Sequence, residues 1–100
     1  MDKRQRPNPQ RDEELRAALF GGVARNELSL AQAIRLMQKL STLTQPEFAS
    51  HRGVSLKALR HAMDLDGNPT VHTLNKIGAV FGLEVGFVPK KRPRPGGPGA

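Results

Sequence analysis

The clearest structural signal lies in residues 44–81, which read TQPEFASHRGVSLKALRHAMDLDGNPTVHTLNKIGAVF. Two short amphipathic helices are predicted here, joined by a tight turn, and a third helix follows. Ala49 is small enough to let the first two helices cross closely, and Gly53 supplies the left-handed backbone that the turn needs. Val54 and Leu59 then seat the second helix on the core. This spacing is that of a helix-turn-helix.

Capping signals mark the start of the predicted helices. Residues 29–32 and 44–47 each match a capping box, in which two side chains reciprocally bind backbone N–H groups. Ser55 can cap the helix after the turn, and residues 68–70, Asn-Pro-Thr, precede the last helix. The buried faces predicted from the helical period are Leu30, Ile34, Met37 and Leu40 in the helix after Ser29, and Leu74, Ile77, Gly78 and Phe81 in the last one.

The N-terminal part of the chain divides into two segments. Residues 1–11 contain two prolines and no apolar periodicity, so they are predicted to form a disordered basic arm. Residues 12–28 are predicted to hold a helix and a connector, because three acids at the start suit the first turn of a helix. The Gly21-Gly22 pair is expected to end that helix. The helix-turn-helix domain itself is predicted to span residues 29–83.

The only strand pattern follows the last helix. Apolar residues alternate with others from Leu83 to Val88, so residues 84–89 are predicted as a strand. A lone strand leaves its backbone groups unpaired, and we expect it to pair with the same strand of a second copy about a two-fold axis. An extended tail packed on its own core is the alternative. The predicted dimer contacts are Leu83, Val85 and Phe87. Residues 90–100 are predicted to be a disordered basic tail rich in proline and glycine.

The formal net charge of +7 belongs to the two ends of the chain. Residues 1–11 carry four basic groups against one acid, residues 89–100 carry four and no acid, and the residues between hold eight of each. Basic ends of this kind attract a phosphate backbone without reading its sequence, or only solubilise the protein. Residues 48–63 contain three basic side chains, two histidines and no acid, and this local excess favours a nucleic-acid partner.

No pattern in the chain indicates catalysis, and an enzyme is not predicted. The absence of cysteine removes disulfides, thiolate nucleophiles and Cys-ligated zinc. His51, His61 and His72 lack the spacing of a metal site, so neither a metal nor another cofactor is expected. No apolar run reaches the roughly 20 residues of a membrane span, and no signal peptide is recognised. A cytoplasmic protein without a membrane partner is therefore predicted.

The helix-turn-helix directs particular side chains toward double-stranded DNA. A unit of this shape presents the N-terminal part of its second helix to the major groove. Lys57 lies in the first turn of that helix and points away from Leu59, so its ammonium can reach a guanine edge or a phosphate. His61 follows one turn later on the same face and can bind a base edge. Arg60 flanks this face and is better placed for a phosphate.

Three further residues complete the predicted DNA-binding set. Ser55 and Gln45 stand at helix starts, where polar side chains beside exposed backbone N–H groups can bind phosphates. Leu56 lies between the core stripe and the outer face, so it either packs inward or touches a thymine methyl. The full set is Gln45, Ser55, Leu56, Lys57, Arg60 and His61.

Several motifs within residues 29–83 match one family. They are Leu43-Thr-Gln45, Phe48-Ala49, Gly53-Val54-Ser55, Leu59, Asn68-Pro69-Thr70, Thr73-Leu74, Ile77 and Phe81-Gly82-Leu83. On these motifs the segment resembles the Cro/cI-type (XRE) helix-turn-helix family, and the added strand is similar to that of HipB-like antitoxins, with HigA-like antitoxins close in architecture. The resemblance implies an all-α, lambda-repressor-like bundle of about five helices that binds operator DNA as a dimer. It also implies base contacts at Leu56, Lys57 and His61 and a phosphate contact at Gln45.

Two positions depart from the family pattern. Family members commonly end the second helix with Glu-x-Gly, whereas residues 63–65 here are Met-Asp-Leu, so we expect Gly67 to form the exit turn instead. Leu56 replaces a typically polar residue. Fewer hydrogen bonds are then left for base reading, which shifts specificity toward thymine methyls and DNA shape.

The predicted function is sequence-specific regulation of transcription by a dimeric repressor that acts on its own operon. The alternative is an antitoxin that also binds and neutralises a toxin protein, and a neighbouring toxin gene would favour it. A structural adaptor is the third possibility, and an adaptor would keep its partner after Lys57 and Arg60 are replaced by Ala. An RNA-binding role is disfavoured, because the chain has no Tyr or Trp for a stacking platform.

Overall fold

Five helices make up the part of the chain that the computed structural model describes, residues 8–90. The first, α1, begins as Pro9–Arg16 and continues through a π-helical stretch, Ala17–Gly21, into a last turn, Gly22–Ala24. The others are α2 (Leu30–Ser41), α3 (Gln45–Arg52), α4 (Leu56–Ala62) and α5 (Val71–Gly78), and a 3-10 turn, Ala79–Phe81, extends α5. Residues 8–90 contain no strand, so a compact all-helical fold of five helices is confirmed over this range.

Capping hydrogen bonds start the helices where the sequence predicts them. The Ser29 hydroxyl accepts the Gln32 N–H at 3.1 Å, and the Gln32 side chain accepts the Ser29 N–H at 2.8 Å. Thr44 and Glu47 make the same reciprocal pair at 3.3 and 3.0 Å. Ser55 caps α4 as expected. Both predicted capping boxes are confirmed, and each satisfies two backbone donors that a helix start leaves unpaired.

The first helix is longer than predicted at both ends. It begins at Pro9, where the Asn8 side chain accepts a backbone N–H of the first turn at 3.1 Å and proline suits the first helical position. It also runs through Gly21-Gly22, so the predicted end at this pair is wrong. Gly22 is buried, and a Cβ there would lie 2.6 Å from Cγ of Leu28. Glycine at this position therefore permits close packing.

The predicted basic arm, residues 1–11, is shorter than expected where it can be compared with the structure. Residues 9–11 belong to α1, because the Asn8 cap starts the helix before the acidic turn that the sequence indicates. Residues 1–7 and the tail from residue 91 to 100 lie outside the described residues.

All five helices contribute to one apolar core. Its fully enclosed large side chains are Leu19 from α1, Phe48 from α3, Leu59 from α4 and Ile77 from α5, with Ile34 and Met37 of α2 packed against them. Among residues 8–90 no polar or charged side chain is fully buried. Burial of each large apolar side chain contributes about 1.5–3 kcal/mol. This core therefore holds α3 and α4 in a defined orientation.

The end of α5 packs closely against the chain that follows it. A Cβ on Gly78 would lie 2.8 Å from the carbonyl oxygen of Leu83, so this close approach requires glycine. Gly82 has a φ of +71°, a left-handed conformation that suits glycine just after a helix end. The Leu83 N–H donates to the Gly78 carbonyl at 3.1 Å and closes the end of the helix.

Residues 83–90, which we name the C-terminal segment, continue without helix, turn or bend. From Leu83 to Gly86 the side chains alternate between half-buried and exposed, as they do along a strand. The Val85 N–H donates to Oδ1 of Asn75 in α5 at 2.8 Å. A single chain offers no second strand within residues 8–90, so the pairing of the predicted strand stays a prediction.

Candidate nucleic-acid interface

The turn between α3 and α4 is held by backbone and side-chain contacts. Gly53 has a φ of +71°, which glycine adopts at little cost. The Val54 N–H donates to the Ala49 carbonyl at 3.0 Å, and Lys76 of α5 donates from Nζ to the Gly53 carbonyl at 3.2 Å. Ala49 and Leu59 are 2% and 0% exposed, so the two helices pack on the core as the spacing predicts.

A hydrogen bond joins the start of α3 to the outer side of α4. Arg60 donates from Nε to Oε1 of Gln45 at 3.2 Å, across 15 residues of sequence. A guanidinium has five N–H donors, so this bond leaves others to bind a further acceptor. Two residues predicted to contact phosphates are thus adjacent. Together they can bind one anion through the amide N–H groups of Gln45 and the remaining guanidinium N–H groups of Arg60.

A shallow hollow of about 530 Å³ runs along α4. Ser55 caps the helix by accepting the Ala58 N–H at 3.0 Å, and its hydroxyl proton remains available as a donor. Lys57 is exposed and makes no hydrogen bond or ion pair within residues 8–90. Four of the six predicted DNA-binding residues line this hollow, namely Ser55, Lys57, Arg60 and His61, together with Ala58 and Asp64.

Leu56 is neither fully packed inward nor fully exposed, so the structure lies between the two predicted alternatives, inward packing and contact with a thymine methyl. The side chain is half-buried at the start of α4, and it is not among the apolar residues that pack on the core cluster. Part of its surface therefore remains able to contact a ligand. Asp64 also lines the hollow, although no pattern in the sequence indicates it as a site residue. Its negative charge weakens phosphate binding at that end of α4, and the guanidinium groups of Arg60 and Arg35, which line a hollow together with Asp64, offset it.

The exit from α4 uses His61 as a hydrogen-bond acceptor. Nε2 of its ring accepts the Asn68 N–H at 2.7 Å. The Gly67 N–H donates to the Asp64 carbonyl at 2.9 Å, and a Cβ on Gly67 would overlap the His61 carbonyl oxygen. The prediction that Gly67 forms the exit turn is confirmed. One ring nitrogen of His61 is used inside the protein, so only Nδ1 remains for a base edge.

Arg35 belongs to the candidate interface and was missed in the sequence. It donates from Nη2 to the carbonyl of Met63, the C-cap of α4, at 2.9 Å. A second hollow, of about 220 Å³, is lined by Arg35, Gln45, Arg60, Met63 and Asp64. The position of Arg35 beside α4 could not be predicted from the sequence, because the contact with Met63 joins residues 28 apart on different helices. Arg35 therefore both holds the end of α4 and adds a guanidinium beside Arg60.

Arg52 is not part of this surface, although it contributes to the local basic excess in the sequence. Its guanidinium lies 4.4 Å from the ring centre of Phe48 and 5.6 Å from that of Phe81. Its Nε is buried without a hydrogen-bond partner within the described residues. Desolvation by this burial lowers the pKa of Arg52 below its usual value. The cationic groups of the interface are thus Lys57, Arg60 and Arg35.

The three predicted dimer contacts differ in their surroundings. Leu83 and Val85 are half-buried and pack on the core cluster, whereas Phe87 is fully exposed, at 109% of its reference surface. The C-terminal segment forms one wall of an apolar groove of about 630 Å³. The opposite walls come from Val23, Leu30, Ile34, Met37 and Leu74. The fully exposed Phe87 is one of the residues that line this groove.

Within residues 8–90 there is no group of three or more histidine, cysteine or acidic residues that could hold a metal ion. None of the helices described there combines the length and apolarity needed to cross a bilayer. No protein-family model, curated protein or solved structure matches the chain.

Proposed function

We propose that the chain is a sequence-specific DNA-binding regulator of transcription, a helix-turn-helix protein of the Cro/cI type that acts as a dimer and represses its own operon. The observation that carries the proposal is the α3–α4 pair. Its turn is held by Gly53, its apolar sides are packed on the core, and its outer side carries Lys57 and Arg60. Motif and placement agree, and that agreement is the support for DNA as the partner.

Each residue then has a role in DNA binding. α4 enters the major groove, where Lys57 binds a guanine edge and the exposed part of Leu56 contacts a thymine methyl. Gln45 and Arg60, already joined by a hydrogen bond, bind one backbone phosphate and set the register of α4 in the groove. Arg35 adds a cation beside them. Repression follows because a dimer bound over a promoter excludes other proteins from it.

The experiment is selection from a random pool of double-stranded DNA with the purified protein. We expect enrichment of one motif with two inverted half-sites, because a two-fold dimer reads a palindrome. The K57A/R60A double variant should enrich no motif. The matched control is R16A/K39A, which removes two exposed cations from α1 and α2 and should enrich the same motif as the natural protein. Failure of the natural protein to enrich any motif would contradict the proposal.

A further inference from the structure

The backbone donors of the C-terminal segment fall into two sets. The Leu83 N–H donates to the Gly78 carbonyl at 3.1 Å, and the Val85 N–H donates to Asn75 at 2.8 Å. Pro89 has no N–H to donate. Leu83 and Val85 are therefore bonded to the protein's own α5, Pro89 has no donor, and among the odd-numbered positions of the segment only Phe87 keeps a free N–H within residues 8–90.

Even-numbered positions form the opposite edge. In an extended chain, successive residues direct their N–H and C=O groups to alternate sides. When Leu83 and Val85 face α5, the groups of Glu84, Gly86 and Val88 face away from it. Within residues 8–90 these three N–H groups make no hydrogen bond. The segment thus presents one free edge, along which the even-numbered residues have unbonded N–H groups.

We propose that a second copy of this chain pairs along that edge, antiparallel, with the two-fold axis at Phe87. The inference rests on the dimer in the proposed function and specifies how it forms. The even positions present successive free donors along one edge, so Gly86 bonds with Val88 of the other copy and Glu84 bonds with Lys90 of the other copy. This register places opposite charges directly across the seam at both ends, where they attract.

Other registers make fewer bonds or poorer pairs. A slip of one residue would use the odd positions, where Leu83 and Val85 are already bonded, Pro89 has no N–H, and only Phe87 has a free donor. Moving the axis to Gly86 or Val88 reduces the ladder from about eight hydrogen bonds to about six, because each antiparallel bonded pair exchanges two. Such a shift of the axis also moves Lys90 of one copy away from Glu84 of the other copy. Charge and hydrogen bonding therefore select the same register.

The exposed Phe87 and the apolar groove fit this arrangement. At the axis the two Phe87 residues form a pair without mutual backbone bonds, in which side chains come closest. The residues outside the described part, 1–7 and 91–100, contain no large apolar side chain except Met1. They offer the groove no apolar cover, whereas a second copy brings Phe87, a fully exposed apolar side chain.

Oxidative cross-linking tests the register in the full chain, which has no natural cysteine. The Cα atoms of the two copies at position 87 would be about 4.5 Å apart, within disulfide range. F87C should therefore form a disulfide-linked dimer. G86C, whose side chain meets nothing within 4 Å, should cross-link poorly because its copies are staggered by roughly 7–8 Å. E84C should not cross-link, since its copies lie roughly 20 Å apart.

A charge exchange, followed by sedimentation equilibrium, tests the Glu84–Lys90 pair without changing residue 87. E84K and K90E should each weaken dimerisation by about fivefold, because like charges would meet twice across the seam, and the double variant should restore it.

Four results would overturn the proposed register or the seam itself. Cross-linking by G86C rather than F87C would move the axis to Gly86, and no restoration in the double variant would remove the charge pair. A dimer that no variant cross-links would use another surface. A chain that stays monomeric would remove the seam and the proposed dimer together. None of these readouts involves DNA, so DNA binding is judged separately.

Discussion

Arg52 and Arg60 are eight residues apart and have different surroundings. Arg52 stacks on Phe48 and Phe81 with a buried, unpartnered Nε. Arg60 is exposed and shares a hydrogen bond with Gln45. A sequence shows two basic residues here. The packing of Phe48 and Phe81 around Arg52 distinguishes it from the exposed Arg60, and the contact with Phe81 joins parts of the chain that are distant in sequence.

Replacing each arginine by Met tests this difference. R52M should leave the melting temperature unchanged or raise it, because losing about 0.5–1 kcal/mol of cation–π attraction is offset by removing an unpaired donor that costs about 1–3 kcal/mol. R60M should keep the fold and weaken DNA binding, and its salt slope should fall by about 1. Thermal melting and DNA titration of both variants provide the measurement. Equal losses of DNA affinity would contradict the assignment.

Lys57 is the residue with the most direct proposed base contact. K57A should change the free energy of unfolding by less than about 0.5 kcal/mol, since the side chain is exposed. It should weaken specific DNA binding by about 1–3 kcal/mol and relax the preference at one base pair. R16A, in α1, is the control for loss of a single charge. If K57A unfolds the protein, the face assigned to α4 is wrong.

At the scale of the element, the capping boxes connect sequence to local structure. T44A removes the side-chain acceptor of the Glu47 N–H at the start of α3. It should lower the free energy of unfolding by about 1 kcal/mol. Urea denaturation measures this effect, and S50A, an exposed serine of the same helix, is the control. A T44A stability equal to that of S50A would mean that the cap does not stabilise the fold.

The starts of the helices could be predicted because the signals are local. Ser29, Thr44 and Ser55 each act within three residues of themselves. The end of α1 could not be predicted in this way. Glycines usually stop a helix, but here the buried Gly22 makes room for Leu28, and that packing overrides the local signal.

The candidate site was predictable to a similar extent. Lys57 and Arg60 are exposed on α4, as the helical period indicates. The contacts of Arg35 with Met63, and of His61 with Asn68, depend on how the chain folds back on itself. Local spacing contains no information about such contacts, so the sequence neither added Arg35 to the set nor showed that His61 is partly committed within the protein.

At the scale of the whole molecule, the net charge is unevenly distributed along the chain. The excess of +7 resides in the two ends of the chain, whereas the helical part between them is balanced. Any DNA attraction due to the ends is independent of sequence and falls steeply with salt. The proposed attraction through α4 is expected to depend on bases as well. A salt series therefore separates the two contributions.

Fluorescence anisotropy of the purified chain on its own upstream DNA and on scrambled DNA, across a salt series, measures that separation. We predict that at physiological salt the upstream DNA binds at least ~10³-fold more tightly, the low end for specific regulators. Equal and steeply salt-dependent binding to both DNAs would contradict the proposal that α4 reads an operator there, and would mean that the basic ends dominate.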